Sequence, residues 1–255
     1  MHPPGGWRRV EWIAPCAAVR VTPEHLSDEL PSARAYHSGM SDILVALRTE
    51  IPGLRVLTDE IDRESYRKDE ALHLRPGLPL AVALPRSTDE VASIVRIAAA
   101  HRVPVVPRGA GSGLSGGSAG IEGALTIAMT RMNEILEIDV VNRVAVVQPG
   151  VINAALKAAA LREGLFYAPD PASPEFCSIG GNIGTNAGGL CCVKYGVTRE
   201  AVAALEVVLA DGSTIRTGGR TVKDVAGYAL TQLMVGEFVR AAYRGHQYQL
   251  NVDLT

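Results

Sequence analysis

The residues of this chain best suited to binding chemistry are glycines, grouped in two places. Six of the 26 glycines fall in residues 105–120 (VVPRGAGSGLSGGSAG) and five more in residues 180–189 (GGNIGTNAGG). Glycine is costly in conformational entropy, so such density marks backbone at positive φ or backbone pressed against something. Runs of exposed amide N–H groups in loops of this kind form concave nests that bind anions, phosphates above all. Arg108 stands beside the first loop and adds positive charge. In the second, Asn182, Thr185 and Asn186 set compact hydrogen-bonding side chains among the glycines, suited to a polar, ring-bearing ligand. Pro169 and Pro171 stiffen the approach to it. The bland alternative, two flexible linkers, fits poorly with the strand-like apolar segments that hem in both loops.

Three motifs compete for the first loop. Gly111, Gly113 and Gly116 match the dinucleotide fingerprint G-x-G-x-x-G. That fingerprint needs a helix immediately afterwards to hold the pyrophosphate, and SAGIEGALTIAM is glycine-broken and then strand-like. Gly113, Ser115 and Gly117 match the hydrolase elbow G-x-S-x-G, which requires the same strand–turn–helix. A Walker loop is excluded because no lysine follows the glycines. A strand leading into a helix-free nest survives.

The elements that must position these loops are legible by pattern. LAVAL (80–84) reads as a buried strand. Ser87 and Glu90 make a capping box, and Val91, Ile94, Val95 and Ala98 follow at helical spacing to about His101. VPVV (103–106), ALTIAM (124–129) and VAVVQ (144–148) read as strands, and no helix pattern falls between the last two. A helix over about 151–163 ends at Gly164. ALEVVL (204–209), Asp211-Gly212 and STIRT predict a hairpin. Near the start, Ile43, Leu44 and Leu47 predict a helix opening at Met40 and stopping at Pro52-Gly53. Residues 1–39 show no periodicity and are expected to be an irregular extension, with Met40 as the biological start. Clustered strands with few helices predict an α+β fold.

Composition excludes several classes of function. The chain has 255 residues, 47% hydrophobic and 20% charged, and a net charge of −2, so no global basic field favours nucleic acid. No apolar run approaches the roughly 18–20 residues of a membrane-spanning helix. The N-terminus, broken by Glu11 and Pro15, is a poor signal peptide. Four cysteines, with Cys191 and Cys192 adjacent, make neither a disulfide framework nor a metal site, and a reduced, cytoplasmic setting is expected.

Taken together, PRGAGSGLSGGS (107–118), YAPDPAS (167–173), SIGGNIGTNAGG (178–189), VKYGVTR (193–199), LEVVLADGS (205–213) and KDVAGYALTQLMVG (223–236) resemble the FAD-binding oxidoreductases of the vanillyl-alcohol oxidase type. Within them the likeness is to the FAD subunit of glycolate oxidase and to D-lactate and D-2-hydroxyacid dehydrogenases, over about residues 41–236. The resemblance implies an α+β, two-subdomain FAD-binding module over residues 40–236. It implies a pyrophosphate loop of Pro107, Arg108, Gly109, Ala110, Gly111, Ser112, Gly113, Leu114 and Gly117. Pro169, Asp170, Pro171 and Ser173 would line the ribityl chain and flavin ring together with Ile179, Gly180, Gly181, Asn182, Thr185 and Asn186. Gly188, Gly189, Tyr195 and Gly196 would complete that wall. Some members tether FAD through a histidine in the first loop; Ser112 stands there, which implies non-covalent FAD.

The implied reaction is oxidation of a small 2-hydroxy acid, its α-hydrogen passing as hydride to the flavin and its hydroxyl proton to a base. The family's substrate-binding groups, base and metal ligands come largely from a C-terminal cap domain, expected to be missing here, so the catalytic residues stay unassigned. His25, His37, His73 and His246 make no convincing base, and His101 reads as a helix-end residue. Lys194 and Arg199 flank Tyr195-Gly196, either near the cofactor or as solvated charges. The resemblance also allows an electron-transfer partner, a quinone or an iron–sulfur subunit, through which an otherwise cytoplasmic protein would associate with a membrane; nothing in these residues demonstrates one. After Gly236 the likeness stops. Residues 237–255 are expected to be an aberrant, frameshifted or fused tail, with a divergent terminal strand within FVRAAY as the other reading. Two further readings stay open: a non-catalytic FAD-binding remnant, and a fragment that folds only with a partner chain.

Overall fold

A computed structural model describes residues 33–220, 229–236 and 247–253. The chain forms two units, 1–38 and 39–255. In the first, only the helical backbone from Ala33 is described. That helix, α1 (Ala33–Glu50), begins seven residues before Met40, so residues 33–39 are helical rather than irregular. Its Ile43 and Leu47 are fully buried, one turn apart.

In the second unit, β1 (Arg55–Leu57) and α2 (Glu60–Glu64) lead to the apolar strand β2 (Ala81–Leu84), buried at every position. Next comes α3 (Thr88–Ala100), whose Val91, Ile94, Val95 and Ala98 all face the core. Its cap is half of the expected box. Ser87 Oγ accepts from Glu90 N at 3.2 Å, but the Glu90 carboxylate accepts from Arg86 N at 2.7 Å, one residue further back. With β3 (Val105–Arg108) and β4 (Leu125–Ala128), the strands order as β1-β2-β4-β3. β2 and β3 both run parallel to β4, so α3 is a crossover helix that carries the chain past one strand position. Ile43, Leu47, Ile94, Leu125 and Ile127 form the centre of this core.

The second sheet is antiparallel throughout. β5 (Ile135–Asp139) and β6 (Val144–Val147) open it, and α4 (Asn153–Arg162), α5 (Ile179–Thr185) and α6 (Cys192–Tyr195) follow. β7 (Val202–Val208) and β8 (Thr214–Gly218) form the expected hairpin, turning through Leu209–Ser213 with Gly212 at φ 79°. α7 (Leu230–Met234) and β9 (Gln247–Asp253) complete the order β5-β6-β9-β7-β8. Leu156, Tyr167, Ile179, Ile183, Leu205 and Val207 fill the core against this sheet.

Besides the three-residue β1, two strands run against expectation. β5 was hidden by its mixed pattern, since Leu136 and Glu137 are exposed. β9 lies inside the segment set apart as an aberrant tail. Its Leu250 is registered between Val147 of β6 and Leu205 of β7, the middle of the sheet. FVRAAY (238–243) lies outside the described residues. Among those described, no helix is long and apolar enough to cross a membrane.

Candidate functional site

The chain from β3 to β4 contains the first glycine loop, and it is free of helix, as its composition requires. Arg108 closes the loop upon itself. Its guanidinium is buried, donating to the Ser118 carbonyl at 2.8 Å and to the Lys68 carbonyl at 2.7 Å, with the Tyr66 ring 5.7 Å away. Burial lowers its pKa from the usual guanidinium value, and the nearby Asp69 and Tyr66 oppose that shift. Gly111, at φ 78°, packs on this guanidinium where any side chain would collide with it. Glu70 N donates to the Gly113 carbonyl at 3.1 Å and ties down the outer rim.

This folding leaves a row of unused donors. None of the backbone N–H groups from Ala110 through Gly117 donates to another described residue. Successive unpaired amides in a turn are the geometry of an anion-binding nest. All of the residues from Ala110 to Gly117 except Gly116 line a cavity of about 290 Å³. That is near the low end of the ~300–1,000 Å³ typical of ligand pockets, and suits the central part of a long ligand.

The opposite wall is a helix where the sequence predicts a loop. Residues 179–185 (IGGNIGT) have poor helix propensity, yet Ile179 and Ile183, one turn apart, are both fully buried. Ser178 Oγ caps α5 by accepting from Gly181 N at 3.2 Å. Asn186 ends it in the left-handed conformation, φ 48°, which asparagine tolerates. The start of the helix is pinned to the β6–α4 turn by Ile179 N to Val151 O (2.8 Å), Gly180 N to Pro149 O (2.8 Å) and Asn153 N to Cys177 O (3.0 Å).

Of the residues named from sequence, Gly109, Ala110, Gly111, Ser112, Gly113, Leu114 and Gly117 meet Pro171, Ser173, Gly181, Asn182, Thr185 and Gly188 around this cavity. Ser115, Ser118, Ala172, Cys177 and Ala187 also line it and were missed, although each lies within or next to a flagged stretch. The others take supporting positions. Pro107 is in β3, and Arg108 buckles the loop. Asp170 pairs with Lys157 Nζ at 2.5 Å, and that hydrogen bond holds its carboxyl below the usual range. Gly189 packs against the Asp170 carbonyl, and Gly180 against Pro149. Pro169 and Ile179 are buried outside the lining, and Gly196 ends α6. Asn186 Oδ1 accepts from Arg199 N at 2.9 Å, while the Arg199 guanidinium donates to the Val235 carbonyl at 3.0 Å. Tyr195 is exposed, in contact with Phe166 and with Lys194 Nζ at 2.8 Å. Neither Lys194 nor Arg199 lines the cavity.

Among the described residues, the lining holds no ionisable side chain apart from Cys177. The site can therefore bind by amide and hydroxyl donors, and none of its described lining residues is a carboxylate, histidine or lysine with which to move a proton. Asn182, 3% exposed, accepts at Oδ1 from Asn153 Nδ2 (3.0 Å) and Cys177 Sγ (3.6 Å), leaving its own Nδ2 as a donor at the cavity wall. Unpaired amides on one side and an amide donor on the other fit a ligand with a diphosphate flanked by polar acceptors.

A two-sheet fold with a neutral, donor-lined cleft of this kind defines a nucleotide-cofactor-binding domain. The FAD binding domain family matches residues 79–218, more than half of the chain, and the chain belongs to that family. It is 55% identical over 160 residues to the glycolate oxidase subunit GlcD of Bacillus subtilis (strain 168), covering 63% of this chain and 34% of that protein. It is 42% identical over 193 residues to the D-2-hydroxyglutarate dehydrogenase of Xanthomonas citri pv. viticola, covering 76% of this chain and 41% of the relative. Among solved structures, an alkyldihydroxyacetonephosphate synthase superposes with a TM-score of 0.72 at 21% identity, covering 84% of this chain and 40% of that one, a likeness of fold. The chain thus spans about two-fifths or less of the length of these curated relatives. Its fold is that of the vanillyl-alcohol oxidase type, and its cofactor is FAD.

Proposed function

We propose that this chain is the FAD-binding part of an oxidoreductase that oxidises a small 2-hydroxy acid such as glycolate, D-lactate or D-2-hydroxyglutarate. The observation that carries the reading is the row of unpaired amides from Ala110 to Gly117 facing Asn182 across one cavity. In it the Ala110–Gly117 amides hold the diphosphate and cancel its charge without a counter-ion. Asn182 and the hydroxyls of Ser173 and Thr185 orient the polar atoms beyond it. Thr185 Oγ1 donates to the Gly181 carbonyl at 3.0 Å, so it meets a ligand with its lone pairs. When bound, FAD supplies the ring that accepts the hydride. Ser112 offers no tethering nucleophile of the histidine kind, and no histidine is among the described lining residues, which supports non-covalent binding.

No general base stands among the described lining residues, so in this reading the hydroxyl proton leaves to a group outside them. That agrees with relatives more than twice as long as the matched region. The relative's description as a subunit supports a partner chain.

The test is the visible absorption of the purified chain after incubation with FAD and desalting. A retained flavin spectrum released by denaturation supports the reading, and anaerobic addition of glycolate or D-lactate then tests bleaching. A colourless protein that takes up no FAD overturns it.

A further inference from the structure

Behind the Asn182 wall lies a small buried polar cluster that the cofactor site itself does not require. Asn153, the first residue of α4, is fully buried and does not line the cavity. Its Nδ2 donates to Asn182 Oδ1 at 3.0 Å, and its backbone N–H donates to the Cys177 carbonyl at 3.0 Å. Its own Oδ1 is buried without a partner among the described residues. A buried acceptor left open is destabilising, and an apolar side chain of the same shape would fill the place without it. Space filling therefore does not explain an asparagine at 153. What an asparagine supplies is a donor aimed at Asn182.

That donor decides which end of the Asn182 amide faces the ligand. An asparagine amide has an acceptor end and a donor end of nearly equal shape. With Asn153 Nδ2 and Cys177 Sγ both directed at Oδ1, the reverse orientation would set amino group against amino group. We propose that Asn153 is a positioning residue: it locks the Asn182 amide so that the cavity wall offers FAD a hydrogen-bond donor and selects for an acceptor atom there. The inference rests on the FAD reading of the cavity and adds to it a residue outside the lining.

The experiment uses the full chain, titrated with FAD by flavin fluorescence, with the absorption spectrum and midpoint potential of the bound flavin as further readouts. Asn153→Asp replaces the donor with an acceptor and turns the Asn182 amide round. The expected result is FAD binding weakened by about tenfold or more, with shifted flavin bands and potential. Asn153→Leu removes the donor while keeping the volume, and is expected to weaken binding less. In an Asn182→Ala background both substitutions should change affinity by no more than about twofold, because they act through Asn182. Wild-type affinity and spectrum in the Asn153 variants would overturn the inference. So would an equal loss in the Asn182→Ala background, or failure of both variants to fold, either of which would make residue 153 purely structural. Failure of the unsubstituted chain to take up FAD is a separate result, and it overturns the cofactor reading itself.

Discussion

Gly109 and Ser178 touch across the cleft: the Cα of Gly109 lies so near the Ser178 hydroxyl that a Cβ at 109 would overlap Oγ, with Gly181 N next at 3.4 Å. One residue opens the amide nest and the other caps α5, so this contact sets the width of the cavity. Gly109→Ala is expected to push the loop from the helix, costing about 1–3 kcal/mol of stability and weakening FAD binding about tenfold. Ser178→Ala removes the obstructing hydroxyl together with a cap worth about 1 kcal/mol. The double variant should bind FAD better than Gly109→Ala alone, which fluorescence titration would read directly. Additive losses would show that the contact does not set the width.

Arg108 is a buckle, and its removal should be felt first in stability. Arg108→Met leaves the Ser118 and Lys68 carbonyls without their donor, at a cost of about 2–4 kcal/mol. Arg108→Lys has one ammonium for two divergent acceptors and should recover only part of it. Urea unfolding of the FAD-free chain checks this. A loss of FAD affinity with unchanged unfolding would instead assign the guanidinium to the ligand.

The Lys157–Asp170 pair joins α4 to the segment that carries Pro171 and Ser173 into the cavity. The hydrogen bond from Lys157 depresses the Asp170 pKa in the folded chain. Its stabilising contribution is therefore complete above the unfolded value of about 3.9 and is lost as pH falls through the lower folded value. Thermal melts between about pH 5 and 3 should show a steeper decline for the wild type than for Asp170→Asn. Parallel curves would mean that the pair contributes nothing.

β9 is bonded on both sides, and Leu250 is at its centre. Proline there cannot donate to the ladder and should cost about 3 kcal/mol or more. Leu250→Pro is thus expected to lower the melting temperature sharply. An unchanged melt would mean that residues 247–253 are not in the sheet.

How much of this was legible depended on how local its cause was. The glycine loop, the Val91–Ala98 stripe, the stop at Gly164 and the Asp211-Gly212 turn each rest on interactions within a few residues, and sequence alone determined them. The cofactor class was legible too, because several ordered motifs had to be present together. The helix from Ile179 to Thr185 was not, because its glycines and asparagine argue for a loop. It forms because Ile179 and Ile183 are buried against a sheet assembled from distant segments. The same holds for Arg108, which sequence offered as a charge for the ligand. Only the fold brings the Lys68 carbonyl, forty residues away, within 2.7 Å of its guanidinium. Asn153 left no motif at all, because its meaning lies in Asn182, 29 residues on and across a helix boundary. Spacing along the chain determined which residues could bind a diphosphate. Long-range burial and hydrogen bonding decided which of them face it and which hold the others in place.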